Sequence, residues 1–224
     1  MVSLAPGDRE RVSAAVATAE QASRGEIVTV VAERSDAYHD VGLHYAVLAM
    51  LLVPALVAAL PQALIDRGLG LFAGWNEGVT RGALMAALFA ALALSFLIVR
   101  YLLAWTALRM ALTPASTKAR RVRRRAVELF RAAAERRTTG RTGVLLYLSL
   151  QERRAEIVAD EAVHAEVAPE VWGEAMAALL VEVKAGRPGD GMVRAIEMIG
   201  VVLAEHVPVG QGDVNELPDR VITL

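Results

Sequence analysis

Two long stretches of this sequence carry almost no polar side chain. The first, from Leu43 to Ile65, contains no Asp, Glu, Lys or Arg in twenty-three positions. At a helical rise of about 1.5 Å per residue, such a stretch reaches roughly 34 Å and crosses a hydrocarbon core of about 30 Å. Buried helices of soluble proteins normally keep a polar face, and this stretch has none. The pattern therefore predicts a transmembrane span at about residues 43–65.

The second stretch, from Ala83 to Val99, has Ser95 as its sole polar residue. The apolar pattern continues past Arg100. Because a charge at the centre of a bilayer costs about 2.5 to 3.5 kcal/mol, Arg100 is expected to lie near the membrane surface or to snorkel to it. A short Gly-rich connection joins the two stretches. These features predict a transmembrane helical hairpin over residues 41–112, with its second span at about 83–108.

The distribution of cations predicts the orientation of this hairpin. Its connection contains two basic residues, Arg67 and Arg81, whereas seven follow the second span. These seven are Arg109, Lys118, Arg120, Arg121, Arg123, Arg124 and Arg125. Positive residues close to a span stay in the cytoplasm, and the charged residues near the start of the chain argue against a cleaved secretory signal. Both termini are therefore expected in the cytoplasm, with the protein integral to the inner membrane of a bacterial cell.

The stretch KARRVRRR, residues 118–125, packs six cations into eight positions of a chain whose formal net charge is −1. A sequence pI near 6.4 argues against nucleic acid as a partner. Val122, Ala126 and Phe130 recur at helical spacing and predict an amphipathic helix with Thr113 as its N-cap.

Cations in the first half of a helix oppose its dipole, so helix stability does not explain this cluster. Close to an anionic leaflet, each cation gains about 1 kcal/mol. The sequence therefore favours a role in membrane topology and in binding membrane lipids, the alternative being a solvated face. The residues assigned to this role are Lys118, Arg120, Arg121, Arg123, Arg124 and Arg125.

The segments on either side of the hairpin predict three strands. These are Glu26–Val31, Thr142–Leu150 and Arg153–Asp160. The first two are joined through a helix and should be parallel, whereas only a tight turn separates the last two, which should pair antiparallel.

Helices are predicted around these strands. One helix precedes the first strand and ends with Gly25 as its C-terminal cap. A second covers Pro169 to about Lys184. A third covers Met192 to about His206 and has Asp190 as its N-cap. Residues 1–40 and 113–208 are thus expected to form one layered α/β domain interrupted by the hairpin. In the tail, residues 209–224, Val221 to Leu224 either docks on a neighbouring element or is disordered.

The order of elements resembles a known family. GEIVTVV after an amphipathic helix, TGVLLYLSLQERRAEIVAD as a strand hairpin and GDGMVRAIEMIG at the start of a final helix are similar to the TPM domain, over roughly residues 4–34 and 118–208. The resemblance implies an α/β domain, and some relatives are described as phosphatases. The family usually carries a secretory signal before the domain and an anchor behind it, whereas here the apolar stretches lie within the domain. It also tends to have glycines after the charged strand, where this chain reads ADEAVHAEV.

Candidate chemistry is sparse. The chain has no cysteine, which excludes thiolate metal ligands and a cysteine nucleophile. Glu156, Asp160 and Glu161 follow one another closely enough to share a divalent cation, or they form a solvated strand end that leads into a helix. His164 lies three residues beyond Glu161 and is more simply an exposed histidine. The turn AGRPGDG suits either an anion at a helix N-terminus or a plain turn.

These patterns contain no constellation of catalytic residues and imply no cofactor beyond that divalent cation. The function they favour is an accessory or interaction module, tethered to the membrane, that binds an unidentified membrane-protein partner. The alternatives are a metal-dependent phosphatase that uses the acidic strand end and a sensor of anionic lipids that uses residues 118–125.

Overall fold

The chain divides into two compact units in a computed structural model that describes residues 4–70, 80–133, 142–208 and 220–224. One unit, here called the α/β unit, comprises Met1–Asp36 together with Pro114–Leu224. The other, here called the helical unit, comprises Ala37–Thr113. The predicted tail residues 209–219 and most of the predicted hairpin connection lie outside the described residues.

The α/β unit contains a sheet with helices on both of its faces. Its elements are α1 (Pro6–Glu20), β1 (Glu26–Ala32), α6 (Ala115–Ala133), β2 (Gly143–Ser149), β3 (Arg154–Ala159), α7 (Glu161–Glu166), α8 (Pro169–Lys184), α9 (Pro188–His206) and β4 (Ile222–Thr223). The elements of the helical unit are α2 (His39–Ala59), α3 (Gln62–Gly70), α4 (Arg81–Leu102) and α5 (Thr106–Leu112).

The strand order is β3-β2-β1-β4. Strands β1 and β2 are parallel, from Glu26 opposite Gly143 to Ala32 opposite Ser149, and β2 and β3 are antiparallel. Both predicted pairings are therefore confirmed. The end of the tail forms β4, which pairs parallel with β1 at Val30 and Val31, so of the two alternatives for this segment the structure shows docking.

Every residue of β1 and β2 is buried, because side chains that alternate between the two faces meet helices on both sides. One face, which includes Ile27 and Leu146, packs on α1, α7, α8 and α9. The other face, which includes Val28, Leu145 and Tyr147, packs on α6. This arrangement explains why the two strands appear in the sequence as continuous apolar runs rather than as alternating ones.

In the helical unit, α2 and α4 pack along a seam of less exposed positions that recur every three or four residues. The outward faces of both helices are apolar. Their large exposed side chains are Leu43, Leu48, Leu51, Leu52 and Leu56 on α2 and Met85, Phe89, Leu94, Leu97, Ile98, Tyr101 and Leu102 on α4. Both helices are long and apolar enough to cross a membrane.

The two apolar helices are shorter than the predicted spans. The first ends at Ala59, because Leu60 takes an extended conformation before Pro61, and the residue preceding a proline is driven away from helical geometry. Pro54, by contrast, is accommodated inside α2. The second ends at Leu102, and a turn separates it from α5.

Three predicted helix caps are wrong. The helix α1 ends at Glu20, and Gly25 is instead required by packing, since a Cβ there would lie 2.8 Å from Leu203 Cδ1. The Thr113 hydroxyl donates to the Arg109 carbonyl oxygen (2.8 Å) at the end of α5 rather than capping α6. Finally, α9 begins at Pro188, so Asp190 lies within its first turn.

Candidate functional site

The basic residues of α6 are held largely by acidic partners of the same unit. Arg121 Nη1 lies 3.0 Å from Asp36 Oδ2, and Arg124 Nη2 lies 3.3 Å from the same oxygen. Arg123 reaches Glu156 at 3.6 Å. These contacts join α6 to the end of β1 and to β3, so part of the predicted lipid-binding cluster stabilises the fold.

The remaining cations of the cluster differ from one another. Arg125 lies 3.6 Å from Glu128 one turn along the helix, which is a surface pair of small energetic value. Within the part of the chain that the structure describes, neither Lys118 nor Arg120 has an ion pair, and Arg120 is exposed. Among the described residues, therefore, no carboxylate offsets the charge of these two cations.

A buried polar network lies where β1 and β2 end. The Tyr147 hydroxyl and Ser35 Oγ are 2.9 Å apart, and the Ser35 amide donates to Glu152 Oε1 at 2.8 Å. The other carboxylate oxygen of Glu152 accepts from Ser149 Oγ. Burial raises the pKa of the Tyr147 phenol, while its hydrogen bond with Ser35 acts in the opposite direction. The network ties the segment after β1 to the β2–β3 turn.

Sequence reasoning missed this network. Carboxyl ends of parallel strands are the usual place for a ligand site, but here the polar atoms bind one another. The available signal was that Tyr147 and Ser149 are polar residues two positions apart in an apolar run, and therefore share one face of the strand.

The structure does not gather the three predicted metal ligands into one constellation. Glu156 lies on the face of β3 that carries α6, where burial raises the pKa of its carboxyl group against the opposing effect of Arg123. Asp160 Oδ2 accepts a hydrogen bond from the Gly143 amide (3.0 Å), and Glu161 is exposed, as is His164. Among the described residues, no group of three or more His, Asp or Glu side chains is arranged to hold a metal ion. The divalent cation stays a prediction.

The start of α9 is occupied by a carboxylate of the chain itself. A Cβ at Gly189 would clash with the Asp8 carboxyl group, which therefore lies against the first turn of α9. Arg11 bridges Asp8 (3.3 Å) and Asp190 (2.6 Å). The hydrogen bond with Asp190 holds the pKa of Arg11 above its usual value. The Asp8 carboxyl group thus lies beside the helix start that the sequence offered for an anion.

An open apolar groove runs between α1 and α9. It has a volume of about 640 Å³ and is lined mainly by small residues, among them Ala15, Ala19, Gly200 and Ala204. A second cavity, of about 230 Å³, lies between α8 and α9 beside the buried Trp172. Val201 lines both cavities and is 69% exposed, so it forms a ridge between them. The groove, the ridge and the second cavity together form an exposed, largely apolar surface of α1, α8 and α9.

Together these features define a mixed α/β protein that also contains two long apolar helices. Neither a protein-family model nor a curated protein matches the chain. A similar solved structure is that of the BA42 protein from the psychrophilic bacterium Bizionia argentinensis, determined by NMR. It has 16% sequence identity and a TM-score of 0.55, and the match covers 99% of this chain and 95% of that one. The likeness supports the fold.

Proposed function

We propose that the protein is an accessory module, tethered to a bacterial inner membrane, whose TPM-like α/β unit binds a membrane-protein partner. The observation that carries the tether is the outward surface of α2 and α4. Side chains such as Phe89, 73% exposed, and Leu56, 64% exposed, face away from the helix pair along its length. Burying each large apolar side chain is worth about 1.5 to 3 kcal/mol, which a hydrocarbon environment supplies and water does not.

The binding role is supported by the groove between α1 and α9. Its apolar lining and the ridge at Val201 are open to solvent. Protein interfaces typically bury apolar surface of this kind. The polar groups that the sequence offered for catalysis have other roles, since Asp160 binds the Gly143 amide and Glu156 pairs with Arg123.

The orientation is part of the proposal. It is supported by the cations that follow the second apolar helix, since positive residues close to a span favour the cytoplasmic side, and it has both termini in the cytoplasm. Lys118 and Arg120 then contribute to binding of anionic headgroups, because no ion pair in the described part of the chain offsets them.

The tether is tested by fractionation. The full chain should remain in the membrane pellet after extraction with alkaline carbonate. A reporter that is active only in the cytoplasm should be active when it is fused to either terminus. Recovery of the chain in the soluble fraction would overturn the tether, and a periplasmic terminus would overturn the orientation.

The binding role is tested with a photo-crosslinking residue at position 201 in intact membranes. The probe should form an adduct with one defined protein. The substitution Arg11→Ala, at the rim of the groove, should not change the size of that adduct. As a control, a probe at Glu128, which is exposed on the opposite side of the sheet, should give no adduct. Absence of any adduct at position 201, with the chain present in the membrane, would contradict a binding role for the groove.

A further inference from the structure

The exposed side of α9 has an ordered sequence of charges and apolar residues. Arg194, Val201 and Glu205 are all exposed and lie along one line of the helix, seven and four residues apart. A cation therefore stands at one end of this line, an apolar ridge lies near its middle and a carboxylate stands at the other end. Gly200 and Ala204 lie beside the ridge and line the groove.

This line is self-complementary when two copies of α9 run antiparallel. Arg194 and Glu205 are eleven residues apart, or about 16 Å along the helix, and lie equally far from a midpoint between Ile199 and Gly200. A two-fold axis at that midpoint brings Arg194 of each copy opposite Glu205 of the other. It also places Val201 opposite Met198, so that these two apolar side chains meet near the centre, beside the exposed Glu197 that lines the groove. Ion pairs then form at both ends.

The charges at the two ends of this line differ from the exposed charges at the start of α9. In the described residues, neither Arg194 nor Glu205 has an ion-pair partner, whereas exposed charges at the start of α9 do, as in the pair between Arg187 and Glu182. Gly200 itself serves the packing of α1 on α9, since a Cβ there would lie 2.7 Å from Ala19 Cβ. The other small residues of the groove, such as Ala15 and Ala204, keep the space between the two helices open to a further helix.

We propose that the groove between α1 and α9 binds a second copy of this chain, with the two α9 helices packed antiparallel. The assignment rests on the proposed role of the groove as a protein-binding surface and names its occupant. Each copy inserts its Val201 ridge beside α9 of the other, which is the isologous contact that a two-fold axis requires. Tethering both copies to one membrane raises their effective concentration and favours such a dimer.

The test uses two complementary charge variants of the full chain in membranes. Arg194→Glu alone and Glu205→Arg alone each create like charges at both ends of the contact, and each should lower the fraction of self-associated protein about tenfold. When the two variants are produced together with different tags, both ion pairs are restored. The mixed dimer should then form at the wild-type level. Equal self-association of wild type and single variants would overturn the proposal, as would failure of the mixture to recover.

Cysteine crosslinking gives an independent readout, because the natural chain has no cysteine. Val201→Cys should yield a dimer crosslinked by a short bifunctional maleimide, whereas Glu128→Cys, on the opposite side of the sheet, should not. If Val201→Cys instead attaches only to a different membrane protein, the second copy is wrong while the groove remains a binding surface. If it attaches to nothing, both the dimer and the groove's binding role fail.

Discussion

At the scale of single residues, Gly200 and Gly173 provide a matched comparison. Both lie in helices, but a Cβ at Gly200 would meet Ala19 at 2.7 Å, whereas nothing lies within 4 Å of a Cβ at Gly173. Gly200→Ala should therefore force α1 and α9 apart and destabilise the α/β unit by about 1–3 kcal/mol. Gly173→Ala should stabilise it by about 0.5–1 kcal/mol, because alanine restricts the unfolded chain. Thermal unfolding of the detergent-solubilised chain, followed by circular dichroism, measures both, and equal effects would contradict the close packing.

Tyr147 gives a prediction about pH. Burial raises the pKa of its phenol, so the folded state keeps the proton at a pH where an unfolded tyrosine, with a pKa of about 10, has lost it. The contribution of Tyr147 is therefore fully present below pH 10 and is lost as the pH rises through the folded-state value.

Tyr147→Phe removes both the titration and the hydrogen bond with Ser35. The variant should be less stable by about 1 kcal/mol at neutral pH, and the difference from wild type should shrink above about pH 10. Urea unfolding at pH 7 and at alkaline pH checks this. A difference that does not depend on pH would show that the phenol titrates normally.

At the scale of elements, the strands were the part most accessible to prediction. Glu26–Ala32 and Gly143–Ser149 are continuous apolar runs bounded by turn residues, and the short connection after Ser149 permits only an antiparallel return. Helix starts were less accessible, because Thr113 and Asp190 are residue types that cap helices but here bind other groups.

The polar network was inaccessible to sequence reasoning for a different reason. Its members come together only through the fold, since the bonded residues Ser35 and Tyr147 are 112 positions apart. The ion pair of Arg121 with Asp36 is likewise formed by residues that the apolar helices separate in the sequence. Local patterns identify the charge cluster on α6 but not which of its members are paired.

This difference within α6 leads to a prediction that separates fold stability from membrane topology. The side chain of Arg121 is 15% exposed and lies 3.0 Å from Asp36, whereas Arg120 is exposed and without an ion pair in the described residues. Arg121→Gln should destabilise the α/β unit by about 1–3 kcal/mol, and Arg120→Gln should change its stability by less than about 0.5 kcal/mol. Both remove one cation, so reporter fusions should respond to both alike. Equal stability of the two variants would contradict a structural role for Arg121.

At the scale of the whole molecule, the division into two units predicts that residues 37–113 anchor the protein in the membrane, whereas headgroup contacts of Lys118 and Arg120 alone do not hold it there. The α/β unit has its own core on both faces of the sheet. Asp36 lies within ion-pair distance of Arg121 and Arg124, which follow Pro114 by about 10 and 15 Å along α6. A flexible linker of about six Gly and Ser residues, with a root-mean-square length of roughly 13 Å, is therefore long enough to join Asp36 to Pro114.

The chain in which this linker replaces residues 37–113 should remain in solution without detergent and should retain the circular dichroism of a folded α/β protein. Its unfolding should be cooperative, because strands β1 and β2 and the helices on both faces are all present. The matched control is the full chain with the substitution Phe89→Ala. This variant should stay in the membrane, because many other outward apolar side chains of α2 and α4 remain. A linker variant that aggregates, or that stays with the membranes after extraction with alkaline carbonate, would show that the α/β unit depends on the apolar helices for its fold or is anchored in the membrane by itself.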